Sequence, residues 1–309
     1  MAFRDMLVDL HEVEDSISVM HGMIDTSNKM GDVPLLFNNI EEAPGHRSAI
    51  NALERSRLCE MFDISPGDLI DVLAWAMENP SEPEIVDPSE APVMQSGQQE
   101  VDLTKIPIPW HFREDGGRYQ SASMIIAQYD DIRNVSIHRQ LLRDKNHTVA
   151  RFVPRHLRTI STKAANSGQE VPIAVVNGAD PTVLLAAAMS FSDYVDELTV
   201  ASSLHKKLHG TPLKVVFLPN GVMVPADAEY AMEARITMER DNEGPYVDIT
   251  GTVDDIRQEH VIEYDRVHHR VDPIFHALIP TGIEHRTLMG MPRAPTIKNS
   301  VSKVVECVD

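Results

Sequence analysis

Apolar and polar positions follow two different rhythms along this chain. In "SPGDLIDVLAWAMEN" (65–79) apolar residues recur at helical spacing, which predicts a helix capped by Ser65 with Pro66 at its first position. The opening "MAFRDMLVDLHEVED" carries a similar rhythm and predicts an amphipathic helix. "VPLLFNNI" (33–40) is instead a short apolar run and reads as a strand. Residues 1–100 therefore predict an N-terminal α/β domain, with a boundary inside the Pro- and Glu-rich stretch that follows Asn79.

Beyond Leu103 the texture changes. "SMIIAQY" (123–129), "NVSIHRQLL" (134–142) and "TVARFVP" (148–154) predict closely spaced strands joined by the polar turns "DDIR" and "RDKNH". A helix is expected from Arg155 to Gly168, then the strand "VPIAVVN" and the helix "TVLLAAAM". "PLKVVFLP", "EYAMEARITME", "YVDITGTV" and "HVIEYDRV" add further strands. The expected class is α+β, with a mostly antiparallel sheet or barrel and a few inserted helices.

Composition narrows the function. The 309 residues are 42% hydrophobic and 24% charged, as in an ordinary globular protein with a sizeable core. With 47 acidic against 28 basic side chains the net charge is −19, a field that repels phosphate backbones and disfavours nucleic acid. Cys59 and Cys307 have no paired spacing, so a reduced cytoplasmic compartment fits and a disulfide framework does not. The N-terminus carries acids where a signal peptide needs an apolar run, and Val183 to Met189 is too short to span a bilayer. A soluble protein with no membrane contact is expected.

Four segments carry candidate chemistry. A strand through "NVSIHR" places Asn134, Ser136 and His138 on one face and Val135, Ile137 and Arg139 on the other, which suits either a bound ligand or a wet edge strand. "RFVPRH" presents Arg155 and His156 at a helix start, where they could hold a phosphate or serve as ordinary surface residues. In "LLAAAMSFSDYVDEL" small residues permit close approach of a ligand, and Glu197 stands eight positions beyond Met189 on an apolar helical face. Asn, His and Glu are credible ligands for Mn²⁺ or Mg²⁺, although a lone Glu197 is commonly a surface residue. "EGPYVDITG" bends at Gly244-Pro245 into a strand start at Tyr246 to Ile249, so Glu243 and Asp248 could meet at one spot or form a solvated turn. "HKKLH" (205–209) and "HHR" (268–270) lack an evident third metal ligand and read as solvated faces. The chain has no GxGxxG, P-loop, GxSxG or HExxH motif.

Taken in order, "DLTKIPIP", "DGGRY", "IRNVSIHR", "RFVPRH", "VPIAVVNGADP", "VPADAEY", "EGPYVDITG" and "GMPRAPTI" resemble the UbiD family of prenylated-flavin-dependent decarboxylases. The resemblance implies an N-terminal α/β domain (1–100), a split β-barrel domain binding prenylated FMN (101–295), and the start of a linker (296–309) to a C-terminal domain that this chain lacks. It implies that Asn134, His156 and Glu197 hold Mn²⁺, with K⁺ as a further ion. Ser136, Ile137, His138, Arg139, Arg151, Phe152, Val153, Arg155, His156 and Met189 match the positions that bind the cofactor. Arg139, Glu243 and Asp248 match the family's catalytic network. Ala187-Ala188 depart from its pattern, since relatives offer hydroxyl groups there; a Lys of the C-terminal domain that contacts the cofactor in relatives is absent as well.

Within the family the "DGGRYQSASMIIAQYDDIRNVSIHR" and "EGPYVDITGT" stretches look most like the archaeal type. That likeness implies decarboxylation of trans-anhydromevalonate 5-phosphate to isopentenyl phosphate and CO₂. The alternatives are an aromatic acid decarboxylase of the ubiquinone-pathway type and a non-catalytic cofactor-holding or assembly subunit. The implied partners are a phosphorylated unsaturated acid, a flavin prenyltransferase as cofactor supplier, and either further copies or a second chain carrying the C-terminal domain.

Overall fold

A computed structural model describes the whole chain except Asp32, Asp131, Ser192, Asp193 and residues 306–309, and omits the side chain of Asn299. Parts of three expectations therefore lie outside the described residues: Asp131 of the "DDIR" turn, Ser192 and Asp193 before Glu197, and Cys307.

The N-terminal part runs β1 (His11–Ile17), α1 (Gly22–Met30), β2 (Leu35–Ile40), β3 (Arg47–Ile50), α2 (Arg55–Met61), α3 (Pro66–Glu78), β4 (Glu84–Ile85) and β5 (Ser96–Gly97). Ser65 caps α3 by accepting the Asp68 N–H, with Pro66 at the first helical position as expected. The expected helix at the start is corrected. Only the 3₁₀ turn Phe3–Met6 forms, Asp9 adopts a left-handed backbone (φ 56°), and His11–Ile17 pairs with β2 in parallel. Burying Phe3 and Met6 uses up the helical rhythm within one turn, and the strand partner decides the rest.

The remainder continues with β6 (Tyr119–Gln120), β7 (Met124–Tyr129), β8 (Ile132–Ile137), β9 (Gln140–Leu142), β10 (His147–Ala150), α4 (His156–Asn166), β11 (Val171–Asn177), α5 (Pro181–Ala188) and α6 (Glu197–His209). It ends with β12 (Lys214–Phe217), β13 (Met223–Pro225), β14 (Tyr230–Glu243), β15 (Tyr246–Val247), β16 (Val253–Asp254), β17 (Arg257–His269), β18 (Ile274–His276), α7 (Ile283–Gly290) and α8 (Ala294–Val301).

Among the described residues the main sheet follows the order β6-β9-β10-β17-β14-β11-β7-β8, with β5 beside β17. Among the described residues no pairing joins β6 to β8, so the sheet does not close into a barrel. Alternate residues of β7 and β11 serve two cores. Met124, Ile126, Ala174 and Val176 face one that includes residues of α3, α5 and α6, whereas Ile125, Ala127, Ile173 and Val175 face another that includes residues of α1, α4 and β2. Burial on both faces explains why these strands read as continuous apolar runs. The N-terminal sheet is completed from far along the chain: its order is β1-β2-β3-β18, and β18 pairs with β3 in parallel. β4 likewise joins β12, so strands cross in both directions over the boundary expected near residue 100.

Candidate active site

β14 ends at Glu243, where the chain must turn sharply. Gly244 takes φ 103°, a region open to glycine, and is followed by a cis bond to Pro245. Gly116 sits so close that a Cβ there would fall 2.5 Å from the Gly244 carbonyl oxygen. Its own N–H donates to the Pro245 carbonyl at 2.8 Å. The corner then feeds a short hairpin in which Tyr246 lies across from Asp254 and Val247 across from Val253. The expected strand from Tyr246 to Ile249 is therefore cut to Tyr246–Val247. Asp248 closes the turn, accepting the Thr250 N–H at 2.8 Å and the Thr250 hydroxyl at 2.6 Å.

The corner turns Glu243 into the protein, where it is fully buried. Arg139 meets it with a two-pronged fork, Nε to Oε1 at 2.8 Å and Nη2 to Oε2 at 2.9 Å. The third arm of the guanidinium, Nη1, donates to Asp254 Oδ2 at 2.7 Å, and Arg151 pairs with that same oxygen. The Arg139 plane lies over the Tyr246 ring, 4.4 Å from its centroid. Tyr119 donates its hydroxyl to Glu243 Oε1 at 3.1 Å and accepts the Gly244 N–H at 3.1 Å. Burial alone would lower the Arg139 pKa, but hydrogen bonds and charge from Glu243, then Asp254, raise it above its ordinary value. Two cations and two anions thus balance in one half-buried cluster.

Of the three residues matched to the catalytic network, the structure joins Arg139 and Glu243 and sets Asp248 apart on the hairpin. Thr250 holds the Asp248 carboxyl below its usual range, first through its hydroxyl. Asp254 occupies the third corner. Sequence reading missed it, together with Tyr119 and Tyr246; the signal was the hairpin register, since a five-residue turn after Val247 returns residue 254 to face Tyr246.

Further along β8 the side chains alternate as expected. Ser136 donates its hydroxyl to Asn134 Oδ1 at 3.0 Å and lies 2.9 Å from His138 Nε2, so all three share a face. His138 is buried with Nδ1 2.9 Å from the Arg151 carbonyl, and burial pulls its pKa down to about 4, which keeps the ring neutral. Phe152 packs edge-on to His138 and stacks on His260. Ile137 and Arg151 are half-buried, Val153 and Arg155 are exposed, and Met189 is buried at the end of α5. The segments 136–139 and 151–155, joined where the Arg151 N–H donates to the Arg139 carbonyl at 3.3 Å, therefore offer a mixed apolar and polar set of side chains.

Glu197 departs from its expected setting. α5 stops at Ala188, and Glu197 opens a separate helix, α6, behind the Asp196 cap. There it is buried and accepts Asn134 Nδ2 at 2.9 Å and the Val135 N–H at 2.8 Å. Burial is the largest influence and raises its carboxyl to about 8, more than these two donors offset. Among the described residues this buried carboxyl meets only neutral donors, so the donor set suits a cation. His156 begins α4, with Arg155 at the cap position giving no side-chain cap bond. Its ring meets Tyr194 edge-on at 5.9 Å, and Tyr194 in turn bonds the Arg133 backbone next to Asn134. The structure thus brings Asn134 and Glu197 into contact and leaves His156 one residue removed. Both histidine motifs read as solvated faces are corrected: His205 and His268 are buried, and His268 Nε2 lies 2.8 Å from Glu233 Oε1.

A family model described as the UbiD 3-octaprenyl-4-hydroxybenzoate carboxy-lyase Rift-related domain matches residues 84–283. A Methanosarcina mazei protein named anhydromevalonate phosphate decarboxylase is 38% identical over 274 residues, which are 88% of this chain and 62% of that relative. A Methanocaldococcus jannaschii protein of the same name is 33% identical over 294 residues, 93% of this chain and 69% of that one. This chain thus spans roughly two thirds of the relatives' length. The structure of the UbiD-class enzyme HmfF from Pelotomaculum thermopropionicum, an evolved dimeric form in complex with prFMN, superposes with a TM-score of 0.92. The two are 29% identical, and the match covers 98% of this chain and 73% of that one. An open nine-stranded sheet, a buried Arg–Glu fork at its corner and these likenesses agree: the chain belongs to the UbiD family.

Proposed function

We propose that the protein is a carboxy-lyase that removes CO₂ from an α,β-unsaturated acid with prenylated FMN bound, and that the acid is trans-anhydromevalonate 5-phosphate. The observation that carries the reading is the buried Arg139–Glu243 fork beside the surface formed by 136–139 and 151–155. The archaeal relatives at 33% and 38% identity, named anhydromevalonate phosphate decarboxylase, support this substrate.

When bound, the prenylated flavin supplies an electron-accepting centre that makes loss of the carboxylate feasible. Ser136, Ile137, His138, Arg151, Phe152, Val153, Arg155 and Met189 would hold it. Asn134, Glu197 and His156 would hold a divalent ion, Mn²⁺ in this reading, beside its phosphate. In the reaction the bond between Cα and the carboxylate breaks, CO₂ leaves, and a proton completes a new C–H bond at the same carbon. Arg139 orients the substrate carboxylate, and Glu243 fixes the guanidinium in place. Asp248 carries the proton once it lets go of Thr250. Arg151 and Arg155 counter the charge of phosphate groups. A flavin prenyltransferase supplies the cofactor, and further copies or a second chain complete the assembly; exposed Ile297 and Val304 offer apolar surface for that contact. The reading places the reaction in the cytoplasm, which the free, buried Cys59 supports.

The test is to produce the chain beside a flavin prenyltransferase, with and without the C-terminal part of a relative, and to supply the phosphorylated acid. Isopentenyl phosphate and CO₂ in equal amounts are expected. Release of CO₂ from an aromatic acid alone would overturn the substrate, and loaded protein with no turnover on either acid would overturn the catalytic reading.

A further inference from the structure

α5 and α6 carry Met189 and Glu197 where the chain passes from one helix to the next, and their far ends meet at a second polar cluster. Asp180 caps α5: its Oδ1 accepts the Thr182 N–H at 2.7 Å and the Thr182 hydroxyl at 2.5 Å. Its Oδ2 is buried and accepts no hydrogen bond. His205 and His209 stand four residues apart on the last turns of α6 and so share a face. His205 Nδ1 donates to the Thr211 carbonyl at 2.7 Å, which leaves the Nε2 lone pair 3.6 Å from Asp180 Oδ2. His209 Nε2 is likewise buried without a partner, and the two imidazole rings are 4.8 Å apart. One ligand atom from each of the three residues lies within 4.8 Å of the other two. The Met1 amine donates to His205 Nε2 at 3.2 Å and stands 3.8 Å from Asp180 Oδ2, where a bound ion would displace it.

We propose that Asp180, His205 and His209 bind one Zn²⁺ ion, at a site separate from Asn134 and Glu197. Two imidazoles and one carboxylate are a ligand set that Zn²⁺ accepts, with water in the fourth position. Bonds of about 2.0 Å in a tetrahedron set ligand atoms about 3.3 Å apart, so the 3.6 Å pair needs little movement. The His209 nitrogen lies within 4.8 Å of the other two ligand atoms and closes in by up to about 1.5 Å to complete the set. Both outer partners that orient such ligands are present: Thr182 fixes the carboxylate, and the Thr211 carbonyl fixes the His205 tautomer. The ion would clamp the start of α5 to the end of α6. "HKKLH" alone shows only half of this, because its third ligand comes from the "GADP" turn.

The full chain, made without flavin and freed of metal by a chelator, is titrated with Zn²⁺ and in parallel with Co²⁺. One equivalent of Zn²⁺ should bind and raise the melting temperature, and Co²⁺ should show the intense visible bands of a tetrahedral site. Asp180→Asn, which keeps the helix cap, and His209→Gln should each weaken binding by more than about tenfold, a scale reached by loss of outer partners alone. Glu197→Gln should leave this binding unchanged. Wild-type protein that takes up no zinc, variants at Asp180 and His209 that bind as tightly as wild type, or loss of binding in Glu197→Gln would each overturn the assignment.

Discussion

Arg139 is one side chain with three partners, Glu243, Asp254 and Tyr246, and its removal tests what the corner is for. Arg139→Ala would strand a fully buried Glu243 without its cation and is expected to destabilise the protein by about 3–5 kcal/mol in urea unfolding. Tyr119→Phe removes one neutral donor from the same carboxylate and should cost only about 1–3 kcal/mol. Asp248 and Asp254 separate proton transfer from charge balance. Asp248→Asn should leave flavin content intact and lower turnover per bound flavin by about 10²–10⁴-fold. Asp254→Asn should loosen Arg139 and Arg151 together and lower stability as well as rate. If Asp248→Asn keeps more than about a tenth of the activity, Asp248 is not the proton carrier. Arg139 and Glu243 could be named from sequence because their motifs survive intact. Asp254 could not, because its place depends on a hairpin register that "TVDD" does not announce.

At the scale of elements, strands and capped helices were legible and connections were not. Ser65 and Pro66 mark the start of α3 through chemistry local to the sequence. β7 and β11 show as apolar runs because both their faces are buried. The N-terminal helix failed for the opposite reason, since a strand partner outweighed a weak local rhythm. Glu197 was read onto the end of the preceding helix because nothing in "SFSDYVD" signals a break except the Asp196 cap. Gly116 against the Gly244 carbonyl is a junction of backbone on backbone, where a Cβ would fall 2.5 Å from the oxygen. Gly116→Ala is expected to cost about 1–3 kcal/mol and to lower turnover further by shifting Glu243. A variant with unchanged melting temperature and activity would show that the corner can yield.

For the molecule as a whole, four histidines that burial holds neutral dominate the response to acid. Burial lowers His46, His111 and His138 to about 4 and His260 to about 3, against an ordinary value of 6.5. Each binds its proton more readily once unfolded, so between pH 6.5 and 4 unfolding takes up protons and stability falls as the pH drops. Glu197, raised to about 8, works in the opposite direction between pH 4.5 and 8, and Asp115 and Asp196, also raised by burial, add to it; the four histidines outweigh them. The melting temperature of flavin-free protein should therefore fall steeply from pH 6.5 to pH 5, and His260→Gln should flatten that slope. A flat profile over this range would mean that the histidines are protonated in the folded state.

The parallel pairing of β3 with β18 has a temporal side. Ser48 donates its hydroxyl to the Phe275 carbonyl across 227 positions of sequence, so a growing polypeptide leaves the edge of its first sheet bare until translation has passed residue 276. Bare strand edges invite pairing with other nascent chains. Pausing synthesis before and after that point, and probing the early residues with protease, should show protection arriving late and all at once.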